Sequence, residues 1–317
     1  MPADLDPTLA TRIEAIAADH QSGASLLTRM AVAILVDAHR AGADTLDTVA
    51  SALCLAQPTM GSVWNAAALA VGQGGSAPRL LQRLSMQLDR APRALARVLC
   101  ELILTRQEGP VAPTQPVVVA TVSASESVRI CLEALSEQVQ LQVICAEARP
   151  LLEGRQIATH LAEAGIPTTV CTDAGIGAVV AASRARLEAV VVGADAVAPR
   201  WFVNKCGTRS VVDVAASMGV PSYVVASRDK FIDETLADIL RPTQGPPAEV
   251  WEAPPHGVVV ANPYFERIPV ESVATFVTDI GPLGPGSVPE LCQSVVSPED
   301  SIRLAQQVRL SGRLGSQ

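Results

Sequence analysis

The chain has 317 residues, 49% of them hydrophobic and 3% aromatic, and 32 acidic against 24 basic residues give a formal charge of −8. That length and apolar content support packed cores in two domains and exclude a disordered chain. An acidic balance with no basic cluster argues against a direct nucleic-acid partner. No apolar run reaches the ~18 residues of a membrane span, and MPADLDPTLATRIEA has no basic segment ahead of an apolar core, so a cytoplasmic protein with no membrane partner is expected. The seven cysteines and four histidines are scattered singly with no CxxC pair, the usage of reduced, buried thiols, and neither a metal nor a cofactor is expected.

From Pro7 to Gln107 apolar residues recur at three and four positions, as in Leu9, Ile13, Ile16, Ala17 and in Leu26, Leu27, Met30, Ala31, Ile34, Leu35. Breaks at Ser22-Gly23-Ala24, Ala41-Gly42-Ala43, Gln57-Pro58-Thr59 and Gly72 to Pro78 divide this stretch into four or five helices. The expected organisation is an all-helical domain over 1–108, a Gly/Pro-rich linker over 109–116, an α/β domain with a Rossmann-like parallel sheet over 117–281, and a tail over 282–317. Five β-rich runs carry the sheet: Val117 to Thr121, Gln142 to Ala146, Thr168 to Cys171, Ala189 to Val192 and Ser222 to Ala226. Helix-compatible segments separate them, the pattern of βαβ units. The Pro-rich segment Arg241 to Pro255 reads as an exposed loop leading to a last strand near Val258-Val259-Val260, and the tail holds a short amphipathic helix around Glu299 to Val308.

Ligands of open α/β sheets sit outside the carboxyl ends of the strands, so the residues at those ends are the candidate site. The fourth run ends in Gly193-Ala194-Asp195, where turn chemistry requires no acid, and Asn204-Lys205-Cys206-Gly207-Thr208 follows. A helical pattern opens at Gly207-Thr208, and its first N–H groups are expected to hold an anion that Lys205 helps neutralise. After the first run, the turn Ser123-Ala124-Ser125-Glu126-Ser127 suits a phosphate through hydroxyls and N–H groups, or caps a helix. Glu147 and Arg149 after the second run are either ligands or a salt bridge. The third run ends at Asp173, a helix-cap residue, and the fifth at Ser227-Arg228-Asp229-Lys230. Together these point to a phosphorylated sugar or nucleotide.

These residues resemble a superfamily that joins the alpha, beta and delta subunits of eukaryotic translation initiation factor 2B to methylthioribose-1-phosphate isomerase and ribose-1,5-bisphosphate isomerase. The resemblance covers 147–154, Thr172-Asp173-Ala174-Gly175, Gly193 to Asp195, Asn204 to Thr208, 219–224, Lys230-Phe231, Asn262-Pro263 and 265–269. It implies a helical domain, a Rossmann-like domain and a homodimer, with related subunits as further partners. Carried over from the isomerases, Asp195 is the proton-transfer acid, Asn204 and Lys205 hold the sugar phosphate, and Lys230 joins them. Ser123 stands where those isomerases have cysteine. Their Arg-Gly-Ala reads Ser22-Gly23-Ala24 here and their Arg-Pro-Thr reads Gln57-Pro58-Thr59, so two phosphate-binding guanidiniums are missing from the expected site. The resemblance therefore implies binding of a phosphorylated sugar or nucleotide without the standard catalytic pair. The alternative is a divergent aldose-ketose isomerase, an intramolecular oxidoreductase, using Asp195 with Ser123 or Glu126 on a ribose-1-phosphate-type sugar.

Overall fold

The computed structural model describes residues 5–19, 22–72, 74–107, 116–184 and 186–314. Five helices come first: α1 (Pro7–Ala18), α2 (Ala24–Ala41), α3 (Ala43–Ala56), α4 (Gly61–Gly72) and α5 (Ala77–Gln107). Their ends follow local chemistry. Asp6 caps α1 by accepting from the N–H groups of Thr8 and Leu9, with Pro7 in the first turn. Gly42, at φ 127°, ends α2 and starts α3 in one step. Apart from Leu69 and Gly72, every residue of α4 is buried, which makes it the central rod of the helical layer. The expected linker over 109–116 lies outside the described residues except for Pro116.

The remaining elements are β1 (Val117–Val122), α6 (Glu126–Ser136), β2 (Leu141–Ala146), α7 (Glu153–Glu163), β3 (Thr168–Cys171), α8 (Ile176–Ala182), β4 (Leu187–Gly193), β5 (Ala196–Val197), β6 (Trp201–Lys205), α9 (Thr208–Ser217), β7 (Ser222–Val225), α10 (Glu234–Ala237), β8 (Phe265–Pro269), β9 (Thr275–Thr278), β10 (Gly281–Leu283), α11 (Val288–Val295) and α12 (Pro298–Leu314). The main sheet runs β10-β9-β7-β4-β1-β2-β3, parallel except for β10 at its edge. All six residues of β1 are buried, as a central strand covered on both faces requires. A second, antiparallel sheet β5-β6-β8 stands beside the carboxyl end of β4. The fold is α/β, a helical layer followed by a mostly parallel sheet with helices.

Two departures from the sequence-based expectation bear on the site. Val258 to Val260 form no strand: Gly257 turns at φ 89°, and Val258 and Val259 are exposed without a partner edge. The strand of this region is β8, whose Phe-Glu-Arg-Ile-Pro sequence hides it because one face of the small sheet is open. The tail carries two helices, and α12 packs back onto α3 and α4, with Leu304 and Val308 inside the core of the helical layer. Packing also ignores the covalent boundary after α5. Leu81, Leu84 and Leu88 of that helix belong to the helical core, whereas Leu95, Leu99 and Ile103 join β1, β2 and α6 on one face of the sheet.

Candidate active site

Strand β1 lies between β2 and β4, so the chain leaves its carboxyl end toward one side of the sheet and the end of β4 toward the other. That reversal opens the crevice in which α/β folds bind ligands. Here it is a cavity whose floor is 122–127 after β1 and 193–195 after β4, and whose roof is the start of α2 and the turn between α3 and α4. The site thus lies between the helical layer and the sheet.

Asp195 is fixed through its backbone from two directions. Its N–H donates to Val203 O at 2.8 Å, and its carbonyl accepts the N–H of Gly61 at 2.9 Å. Gly61 can approach because it lacks a side chain: a Cβ there would stand 2.7 Å from the carbonyl oxygen of Lys230. The Asp195 side chain is half-buried and reaches solvent along the cavity. Burial pushes its carboxyl up to about 6, and the ammonium groups of Lys230 and then Lys205 pull against that rise. A carboxyl group whose proton is held this far above the usual carboxylate range can serve as a general acid.

Lys205 closes β6 with a side chain 4% exposed. Its Nζ lies 2.7 Å from Glu153 Oε1 and stands over the rings of Phe265 at 4.9 Å and Tyr264 at 5.2 Å. Asn204, also buried, donates from Nδ2 to the Thr208 hydroxyl at 2.8 Å, leaving its carbonyl oxygen toward the cavity side of Gly193. Lys230 comes from the 3-10 turn Arg228–Lys230. It donates to Ala194 O at 2.6 Å, and Asn65 of α4 holds the turn by donating to the carbonyls of Asp229 and Phe231, both at 2.8 Å. Asp195, Asn204, Lys205 and Lys230 are therefore brought together in one cavity.

The rest of the floor and the roof carry weaker groups. Ser123 sits at φ 65° directly after β1, is buried, and among the described residues makes no hydrogen bond to a basic group. Ser125 caps α6 by accepting from Val128 N at 3.4 Å, so its hydroxyl serves the helix while facing the cavity. Ser22, Gly23, Ala24 and Gln57 form the roof. Gln57 Nε2 donates to Ile16 O at 2.7 Å, which ties the roof to α1. No thiol lines the cavity among the described residues.

Glu147 and Arg149 are not brought to this cavity. Glu147 pairs not with Arg149 but with Arg155, at 2.7 Å, and Arg149 is exposed with its backbone N–H held by Asp173. Asp173 caps no helix; its two oxygens accept the N–H groups of Ala148 and Arg149, each at 2.8 Å. The anion site expected at Gly207-Thr208 is also absent from the cavity, because Glu266 Oε1 already accepts the Arg209 N–H at 2.9 Å and Thr208 is fully buried. That turn instead orients Asn204 and Lys205.

What the sequence did not single out is Glu153. The loop after β2 passes through positive φ at Ala148 and Leu152, then starts α7 with Glu153 in the cavity. Gly154 permits this approach, since a Cβ there would overlap the carbonyl oxygen of Ala146 at 1.8 Å. Thr243 and Tyr264 also line the cavity: Thr243 shares a hydroxyl contact of 2.7 Å with Thr59, and Tyr264 donates to Glu249 of the Pro-rich loop. The glycine directly after an acid was the one available signal for Glu153.

Comparison with known proteins follows this geometry. The chain is 37% identical over 152 residues to a methylthioribose-1-phosphate isomerase of Rhodopirellula baltica, covering 44% of this chain and 42% of the relative. It is 36% identical over 154 residues to a 5-deoxyribose 1-phosphate isomerase of Moorella thermoacetica, covering 46% and 43%. The matched segments thus span less than half the length of these curated relatives. Among solved structures, the translation initiation factor eIF-2B of Pyrococcus horikoshii has the same fold, with a TM-score of 0.73 at 20% identity over 89% of this chain and 98% of that one. Residues 14–285 match the model of the initiation factor 2 subunit family, and the chain belongs to that family.

Proposed function

We propose that the chain is a sugar-phosphate isomerase that converts a ribose-1-phosphate-type aldose into the corresponding ketose. The observation that carries this is Asp195, a strand-end acid whose proton is held up to about 6, in a cavity that also presents Lys205, Lys230 and Asn204. Opening a furanose 1-phosphate requires a proton on the ring oxygen, and a carboxylic acid of this kind supplies it. The serine-rich turn 123–127 at the start of α6 suits the phosphate, through hydroxyls and helix N-terminal N–H groups. Relatives named for 1-phosphate substrates support the same substrate class. With no arginine lining the cavity among the described residues, a single phosphate suits it better than two.

The second reading is a binding subunit without turnover, favoured by a buried Ser123 that, among the described residues, makes no hydrogen bond to a basic group. One experiment separates the two. The protein is incubated with ribose 1-phosphate, 5-deoxyribose 1-phosphate, methylthioribose 1-phosphate and ribose 1,5-bisphosphate, and ketose formation and thermal unfolding are both followed. Isomerisation of a monophosphate that falls about 10³-fold in Asp195→Asn is the expected result. Stabilisation by about 2.7 kcal/mol at a hundredfold excess over Kd, without ketose, establishes the binding subunit instead. If neither signal appears, the sugar-phosphate assignment falls.

A further inference from the structure

The isomerase reading requires a second proton-transfer group; besides Ser123 the cavity is lined by the acids Asp19, Glu126 and Glu153, and of these Glu153 is the one paired with Lys205. Glu153 lines the same cavity as Asp195. Its Oε1 is paired with Lys205 Nζ at 2.7 Å, and its Oε2 is buried without a hydrogen-bond partner among the described residues. An unmet buried carboxylate oxygen is costly, and a ligand hydroxyl in the cavity would satisfy it. The surrounding backbone is built to hold this position: Asp173 clamps the loop ahead of it, Gly154 N donates to Glu147 O at 3.1 Å, and Gly154 lets the first turn of α7 press on the end of β2.

We propose that Glu153, not Ser123, is the second catalytic residue of this chain, taking the proton of the sugar 2-hydroxyl while Asp195 protonates the ring oxygen. This rests on the isomerase reading above. Asp195 gives its proton to the ring oxygen and the bond from that oxygen to C1 breaks. The hydrogen on C2 passes to C1 with its electron pair, the 2-hydroxyl proton goes to Glu153, and the former O–H pair forms the C2 carbonyl. C1 is reduced and C2 oxidised within one molecule, so no external oxidant or reductant enters. Glu153 then releases its proton and Asp195 takes one from solvent, which resets the pair. Lys205 is the positioning residue that holds Glu153.

Two carboxyl groups in one cavity divide acid and base roles when their surroundings differ. They differ here: Glu153 is paired directly with an ammonium group, whereas burial dominates at Asp195.

The test is steady-state kinetics of the full chain on the 1-phosphates above, with folding checked by thermal unfolding. Glu153→Gln keeps the shape and removes the base; its kcat is expected to fall at least a hundredfold with KM within threefold of wild type. Glu153→Asp keeps the charge and the partner of Lys205 but withdraws the base by one methylene, and a roughly tenfold loss in kcat is expected. A Glu153→Gln protein that turns over within threefold of wild type overturns the proposal and leaves the isomerase reading standing. So does a loss confined to KM. If Glu153→Gln fails to fold, Glu153→Asp decides, and wild-type kcat in it overturns the proposal. A wild-type protein inactive on all the sugars overturns both.

Discussion

The two walls of the cavity are made differently. On the sheet side, Asp195, Asn204, Lys205, Lys230 and Glu153 are ionised or strongly polar groups, each held by a backbone contact, a hydrogen bond or an ion pair. On the helical side, Ser22, Gly23, Ala24 and Gln57 are small or neutral, Gln57 spends its amide on the Ile16 carbonyl, and Asp19 accepts the Ser22 N–H at 2.8 Å. Most of the charged groups thus sit on one wall, and the other mainly supplies shape. Changes on the two sides should therefore differ in kind.

The largest effect is expected where charge is buried. Lys205→Met leaves the Glu153 carboxylate without its partner in a site where the lysine is nearly inaccessible, and a loss of about 3 kcal/mol in unfolding free energy is expected by urea titration. Gly154→Ala drives a methyl group into the Ala146 carbonyl; a loss of about 2 kcal/mol is expected, together with reduced turnover because Glu153 is displaced. The third prediction concerns pH. Asp195 binds its proton more tightly in the folded chain than in the unfolded one, so its contribution favours the folded state at low pH and is lost as pH rises from about 4 to about 6. The urea midpoint of Asp195→Asn relative to wild type should therefore rise across that window and level off above it. The smallest effect is expected at Arg149→Ala, outside the cavity and exposed: unfolding free energy within about 0.5 kcal/mol of wild type and unchanged kcat and KM. A marked KM change there would return Arg149 to the ligand and break the division between the walls.

Much of this was legible in the sequence because burial and pattern agree. The unbroken apolar runs of β1 and β4 announce central strands, and an acid two residues past the end of β4 has to face the crevice. The helical breaks were legible for a similar reason, since Gly42 and the Gln57-Pro58-Thr59 turn interrupt strong periodicity. Where the reading failed, a local pattern was overridden by its neighbours. Val258 to Val260 have strand composition but no edge to join, while β6 ends in Asn204 and Lys205, polar residues buried only because the site needs them there. Glu153 was hidden by a loop in which Ala148 and Leu152, neither of them glycine, adopt positive φ. Nothing in their identities signals that turn.

The long helix α5 has a consequence for how the molecule comes apart. Its first half is packed among the helices and its second half against the sheet, while α12 sends the end of the chain back onto α3 and α4. A helix shared by two cores makes them a single cooperative unit, because neither can melt without stripping apolar surface from the other. Calorimetry should record one transition with matching calorimetric and van't Hoff enthalpies, and the cavity between the layers should persist until the whole chain unfolds.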